Sequence, residues 1–143
     1  YDGRSAIIVE RGAGMLKREE NHVFAAPVEA VVARWTDADF LTGMMQDQGS
    51  REISVTVEHL SSDQIVVALT RQGPGDAPAM IRAVIGQCLL TLTGNADGGA
   101  TCAAIVSVQS RAPMVAAMVE SLMLEDSTKL LRQEFAAVDA ASG

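Results

Sequence analysis

The feature that most constrains the fold is a long amphipathic segment at the C-terminal end of the chain. After Pro113 a helical pattern runs to about Ala140, which corresponds to about 40 Å of helix. Glu125 and Lys129 form an i,i+4 pair on its polar side. A helix of this kind must pack against a large apolar surface. Its apolar stripe is predicted to consist of Val115, Met118, Val119, Leu122, Leu131, Phe135 and Val138.

The rest of the chain supplies that surface as a series of predicted strands. Ile53, Val55 and Val57 alternate with polar residues, which is typical of a strand with one buried face. Two extended runs near the start predict two more strands, of which the second is half exposed. The predicted strands after the first are 15–24, 53–58, 65–69, 88–93 and 101–110, and residues 1–14 are expected to form an additional N-terminal strand or extension.

The last two strands are predicted to form a hairpin through the turn 94–99, which contains three glycines. The even-numbered side chains of both strands should share the more apolar face. A turn centred near Asp97 places Cys102 opposite Leu92, and Cys88 then lies about four residues farther along the strand. A disulfide is therefore not expected, and two buried free thiols favour a reducing cytoplasm.

Short helices are predicted at three places. Pro27 is expected at the first position of a helix that ends near Thr36, and Asp37 is a typical N-cap for a second helix that ends at Gly49. A third apolar segment, after a break over 73–78, fits one or two helical turns before Gly86. The apolar residues of these segments are Val28, Val31, Val32 and Trp35, then Phe40, Leu41, Met44 and Met45, then Met80, Ile81, Val84 and Ile85.

These elements predict one α+β domain over residues 1–143, and the composition excludes several functions. A net charge of -7 opposes binding to nucleic acid, and no apolar run is long enough to span a membrane. Apolar residues make up 48% of the chain but aromatic residues only 3%. The core is therefore built from aliphatic side chains and methionine, which suits either a small core or a pliable apolar cavity.

No motif in the chain predicts catalysis, a metal site or a cofactor. Gly12-Ala13-Gly14 lacks the third glycine of a dinucleotide fingerprint. His22 and His59 have no further ligand at metal spacing, and Ser107 and Ser110 lack a nucleophile elbow. The acidic residues are expected on a solvated face. They are Glu10, Glu19 and Glu20 near the start and Glu120, Glu125, Asp126 and Glu134 on the last helix.

The segment 22–41, HVFAAPVEAVVARWTDADFL, resembles the helix-grip superfamily of polyketide cyclases, lipid-transfer (START) proteins and birch-pollen allergens. Residues 77–86 resemble the short helix of uncharacterised actinobacterial members. The resemblance covers about residues 15 to 140. It implies a curved antiparallel sheet wrapped around a long C-terminal helix, with two short helices after an early strand.

The chain departs from that superfamily in one place. Its members usually have a further pair of strands between the short helix and the final hairpin, but here only Gln87 separates Gly86 from Cys88. Either the sheet is shortened or a segment is missing from the sequence. A shortened sheet would expose an edge, which a partner strand or residues 5–10 would cover.

The function that the resemblance implies is the binding of an apolar or amphipathic small molecule, or a lipid, between sheet and helix. No cofactor is expected, and a non-enzymatic role is favoured. The alternatives are a cyclase-like or hydratase-like enzyme that uses the same cavity, and an interaction protein that forms a homodimer. The predicted lining residues, several of which are equally typical of an ordinary core, are Trp35, Leu41, Met44, Met45, Met80, Ile81, Leu90, Ala104, Val106, Met118 and Leu122.

Overall fold

The sheet and one long helix dominate the fold of the chain. The structure is a computed structural model that describes residues 6–10, 15–48, 52–73, 76, 84–110 and 117–142. Strands and helices follow one another in the order β1 (Ala6–Glu10), β2 (Met15–Phe24), α1 (Val28–Trp35), α2 (Ala38–Asp47), β3 (Glu52–His59), β4 (Gln64–Gln72), β5 (Val84–Gly94), β6 (Ala100–Ser110) and α3 (Ala117–Ser142).

All six strands belong to one antiparallel sheet in the order β1-β2-β6-β5-β4-β3. The two early strands lie side by side, so β1 extends the edge formed by β2. Strand β3 forms the opposite edge. Helix α3 packs against the inner face of the sheet, where it contacts β2, β5 and β6, and this packing confirms the predicted α+β architecture.

The hairpin of β5 and β6 has the register that the sequence predicts. Leu92 lies opposite Cys102 and Leu90 lies opposite Ala104, and these even-numbered side chains are buried. Cys88 and Cys102 are both buried and free. Alternation of side chains across a strand therefore determines which residues face α3.

Local capping determines where the two short helices begin. Asp37 Oδ1 accepts hydrogen bonds from the backbone N–H groups of Asp39, at 2.9 Å, and Phe40, at 3.3 Å, which confirms it as the N-cap of α2. Pro27 is the N-cap residue of α1 rather than its first helical residue. Helix α2 ends at Asp47 with Gln48 as its C-cap, and Gly49 lies outside the described residues.

The prediction of a helical turn that includes Val84 and Ile85 is wrong, because both residues belong to β5. Strand β5 continues through Gly86 and Cys88, which lie opposite Arg71 and Leu69 of β4. The pairing is continuous, so β4 and β5 are direct neighbours in the sheet. Met80 and Ile81 lie outside the described residues.

Helix α3 buries a face that differs in part from the predicted stripe. Leu131, Phe135 and Val138 are buried as predicted, but Leu122 is 57% exposed and Leu124 is buried in its place. The reason is the period of the helix. Leu124 lies seven residues, or about two turns, before Leu131 and therefore shares its buried face. Leu122 lies two positions before Leu124, so its side chain points to nearly the opposite side of the helix. Val115 and the side chains of Met118 and Val119 lie outside the described part of the chain.

Candidate functional site

A charged pair lies in the interior, between the sheet and α3. Arg71 follows Val67 and Leu69 on the inward-facing side of β4, so strand alternation directs its long side chain towards the helix. There its Nε donates to Oε2 of Glu134 at 3.1 Å, and its Nη2 donates to Oε1. Both residues are only 2% exposed. The carboxylate of Glu134 is thus held by two hydrogen bonds from one guanidinium.

Two neutral side chains complete what we call the buried polar cluster, which consists of Arg71, Glu134, Cys88 and Gln48. Arg71 Nη1 donates to Cys88 Sγ at 2.9 Å, and Gln48 Nε2 donates to Glu134 Oε2 at 2.6 Å. Cys88 is on β5 and Gln48 follows α2. The cluster therefore joins four separate parts of the fold.

Burial and charge act in opposite directions on the titration of this cluster. Burial alone lowers the pKa of Arg71, but Cys88 and Glu134 favour the charged guanidinium and raise the pKa above its usual value. Burial also raises the pKa of the Cys88 thiol, although Arg71 opposes that effect. At neutral pH the cluster consequently holds a guanidinium cation beside a neutral thiol.

The expectation that Glu134 and Glu20 lie on a solvated face is wrong. They are 2% and 4% exposed, respectively, because each carboxylate is paired with an arginine on another element. A signal for the first pair was present in the sequence. Arg71 occupies an inward-facing position of β4, and the other inward-facing side chains of that strand are apolar. A charged side chain that is buried in this way requires a partner of opposite charge.

A close approach of α3 to β5 lies next to the cluster. Gly86 is opposite Arg71 in the sheet, and a Cβ atom at this position would lie 2.8 Å from Ser127 Oγ. Ser127 is 5% exposed. The helix therefore packs directly on the backbone of β5 because the glycine has no side chain.

A second group of polar residues lies where α3 passes over β2, and we call it the β2 cleft. His22 Nε2 is 2.8 Å from Asp139 Oδ2, and the imidazole stacks on Phe135 with ring centroids 4.8 Å apart. Arg132 pairs with Glu20 on the same side. The cleft has a volume of about 310 Å³. The sequence did not predict the pairing of His22 with Asp139, because the two residues are 117 positions apart.

The described residues contain no group of three or more His, Cys, Asp or Glu side chains arranged to hold a metal ion. His59 ends β3 and is exposed. Another cavity, of about 350 Å³, lies on the outer face of the sheet around Ala68, Leu89 and Ile105. It does not include any of the predicted lining residues.

The predicted lining residues are separated by the structure into several groups. Leu41 and Met45 are half-buried on α2, Leu122 is exposed, and Met80, Ile81 and the side chain of Met118 lie outside the described residues. A ligand-binding role for the set stays a prediction. The members that are buried in the core are Trp35, Met44, Leu90, Ala104 and Val106.

Two buried polar atoms near this core have no hydrogen-bond partner among the residues that the structure describes. They are Oε1 of Gln48 and Nε1 of Trp35. Trp35 is fully buried, with its ring edge-on to Phe24 and Phe135. Gln48 is only half-buried. The amide oxygen of Gln48 is therefore an unused acceptor close to the charged pair.

A curved antiparallel sheet that holds a long C-terminal helix, with two short helices between β2 and β3, defines this protein as a helix-grip protein. The crystal structure of Ara h 8.0201 supports this fold, with a TM-score of 0.58 at 13% identity over 90% of this chain and 98% of that chain. The crystal structure of CalU16 from Micromonospora echinospora covers 99% of this chain and 92% of its own at 12% identity, but its TM-score of 0.42 is too low to support an inference.

Residues 19–91 match the family described as "Protein of unknown function (DUF2505)", and the chain belongs to this family. Comparison with curated proteins finds no significant match. No helix within the described ranges is both long and apolar enough to cross a membrane.

Proposed function

We propose that the protein binds a small amphipathic molecule between the sheet and α3, without catalysing a reaction. The observation that carries this proposal is the buried polar cluster. It places a charged pair inside an interface that is formed mainly by apolar side chains. The helix-grip superfamily that the sequence resembles holds apolar ligands in the same part of the fold.

Stability alone does not account for the cluster. Desolvating two charges costs several kcal/mol each, and apolar side chains of similar volume often replace a buried ion pair with no loss of stability. Buried charged groups with altered pKa values are, in contrast, frequent at functional sites. We therefore assign the cluster to recognition of the polar part of the ligand.

The apolar part of the ligand would contact helix α2. Phe40, Leu41 and Met45 of this helix are half-buried, and Gln48 lies three residues after Met45. Flexible methionine side chains adapt to ligands of different shape. The two free buried thiols favour a cytoplasmic location.

Native mass spectrometry tests the proposal. The purified protein is measured directly, and again after mixing with decanoic acid, 1-decanol or 2-naphthol. We expect a complex with one molecule bound, and we expect its abundance to fall several-fold in the double variant Arg71→Met/Glu134→Leu, which removes the charges but keeps the volume.

The matched control is the double variant Arg132→Met/Glu20→Leu, which removes the other arginine-glutamate pair, in the β2 cleft. It should bind as the wild type does. A wild-type protein that carries no ligand and binds none of the three compounds would contradict the proposal.

A further inference from the structure

We propose that the ligand carries a hydrogen-bond donor, a hydroxyl or an amide N–H group, which is accepted by Oε1 of Gln48. This inference rests on the proposed function. It specifies the chemical class of the ligand: an apolar body of modest size with one donor, rather than a hydrocarbon or a molecule whose polar atoms only accept.

The orientation of the Gln48 amide is determined by its neighbours. Glu134 is paired with the always charged guanidinium of Arg71, so its carboxylate accepts hydrogen bonds and does not donate them. The amide group of Gln48 must therefore present its nitrogen to Glu134, at 2.6 Å. The amide oxygen consequently takes no part in this hydrogen bond and remains an acceptor.

That oxygen is buried and accepts no hydrogen bond from any residue that the structure describes. A buried acceptor without a donor costs free energy, and a donor supplied by a ligand removes that cost. Arg71 and Glu134 act here as positioning residues, because they hold the amide in one orientation without needing to contact the ligand themselves.

Gln48 is also the member of the cluster that a ligand reaches most easily. Arg71, Glu134 and Cys88 are each 2% exposed, whereas Gln48 is half-buried at the end of α2. The indole N–H of Trp35 is likewise unpaired among the described residues, but that side chain is fully buried. A ligand can therefore contact Gln48 without displacing the ion pair.

The experiment compares two probes of nearly equal shape, 2-naphthol and 2-methoxynaphthalene, by isothermal titration calorimetry. Only 2-naphthol has a hydroxyl donor. We expect the wild-type protein to bind 2-naphthol more tightly by roughly threefold to tenfold, the range that one hydrogen bond between neutral groups provides. In Gln48→Met the two affinities should become equal, because the acceptor that distinguishes the two probes is removed.

The matched control is Gln46→Met, the same substitution at an exposed position of α2, which should keep the preference for 2-naphthol. Equal binding of both probes to the wild type would overturn this inference and leave the proposed function intact. Failure of both probes to bind would count against the proposed function itself. Because the comparison of probes is made on the wild type, the test holds even if Gln48→Met folds poorly.

Discussion

Two arginine-glutamate pairs connect the sheet to α3, and they differ mainly in their access to water. The side chains of Arg71 and Glu134 are 2% and 1% exposed, whereas those of Arg132 and Glu20 are 51% and 5% exposed. The same two functional groups are thus fully desolvated in one pair and open to solvent on the arginine side in the other. We therefore expect burial, rather than residue type, to determine how strongly the stability of the fold depends on each pair.

The two pairs also have different neighbours. The inner pair is bonded to the side chains of Gln48 and Cys88. Both of these neighbours are neutral, so neither of them can replace a lost charge. The outer pair borders a cleft that also holds His22 and Asp139, where water can replace a lost partner. We infer that the outer pair holds α3 against β2, whereas the inner pair fixes the positions of the polar side chains in the interior.

The largest expected effect comes from removing one charge of the inner pair. Arg71→Met leaves the carboxylate of Glu134 buried without its cation, and we expect a loss of about 3–5 kcal/mol in the free energy of unfolding. Arg132→Met should cost less, about 1–3 kcal/mol, because the buried carboxylate of Glu20 lines the β2 cleft, where water can replace part of the lost interaction. Urea denaturation followed by circular dichroism measures both values, and equal losses would contradict the comparison.

The double variant Arg71→Met/Glu134→Leu provides the control for that prediction. It leaves no buried charge, so it should regain most of the stability that Arg71→Met loses. If the double variant were as unstable as the single one, packing of the arginine side chain, rather than charge, would explain the loss.

A smaller effect is expected where α3 approaches β5 beside the inner pair. Gly86→Ala adds a methyl group 2.8 Å from Ser127 Oγ, which forces a displacement and should cost about 1–3 kcal/mol. Gly43→Ala is the matched control, because no atom lies within 4 Å of its added Cβ and alanine favours the helix by about 1 kcal/mol. The same denaturation experiment should therefore give effects of opposite sign, and stabilisation by Gly86→Ala would show that the contact is loose.

The smallest effect concerns the buried thiols, and it depends on pH. Arg71 opposes the rise in the pKa of Cys88, whereas burial and Cys88 together raise the pKa of Cys102 from 9.0 to about 12. Because the pKa of Cys102 is higher in the folded state, its contribution to stability is complete below pH 9 and is lost as the pH rises towards 12. Between pH 9 and pH 10 the loss should be about 1 kcal/mol.

Cys102→Val removes that titration and tests it directly. The difference in unfolding free energy between wild type and variant should stay constant below pH 8 and shift against the wild type above pH 9. A difference that is independent of pH up to pH 10.5 would show that this thiol ionises equally in both states.

Local rules predicted much of the fold. The bounds of β2 and the opposition of Leu92 and Cys102 follow from alternation and turn position, which depend on neighbouring residues only. The assignment of Val84 and Ile85 to a helix failed because a short apolar run fits a helix or a strand equally well. What decides between them is pairing with β4, where Ile85 lies opposite Gln72.

The candidate site was much harder to predict than the fold. Glu134 appeared to be one of several acidic residues on a polar helix face, and its burial depends on an arginine 63 residues away in sequence. The contact of His22 with Asp139 was not predicted for the same reason, because the two residues are far apart in sequence. Long-range pairs of polar residues have no periodicity of their own, so a single sequence carries only an indirect signal of them, such as Arg71 at an inward-facing strand position.

The ring cluster around Trp35 has a practical consequence. Trp35 is the single tryptophan of the chain, and it is fully buried against Phe24 and Phe135, which belong to β2 and α3. Its fluorescence therefore comes from one defined position where three elements meet. A red shift of that emission would report the separation of α1 from α3 without any added label.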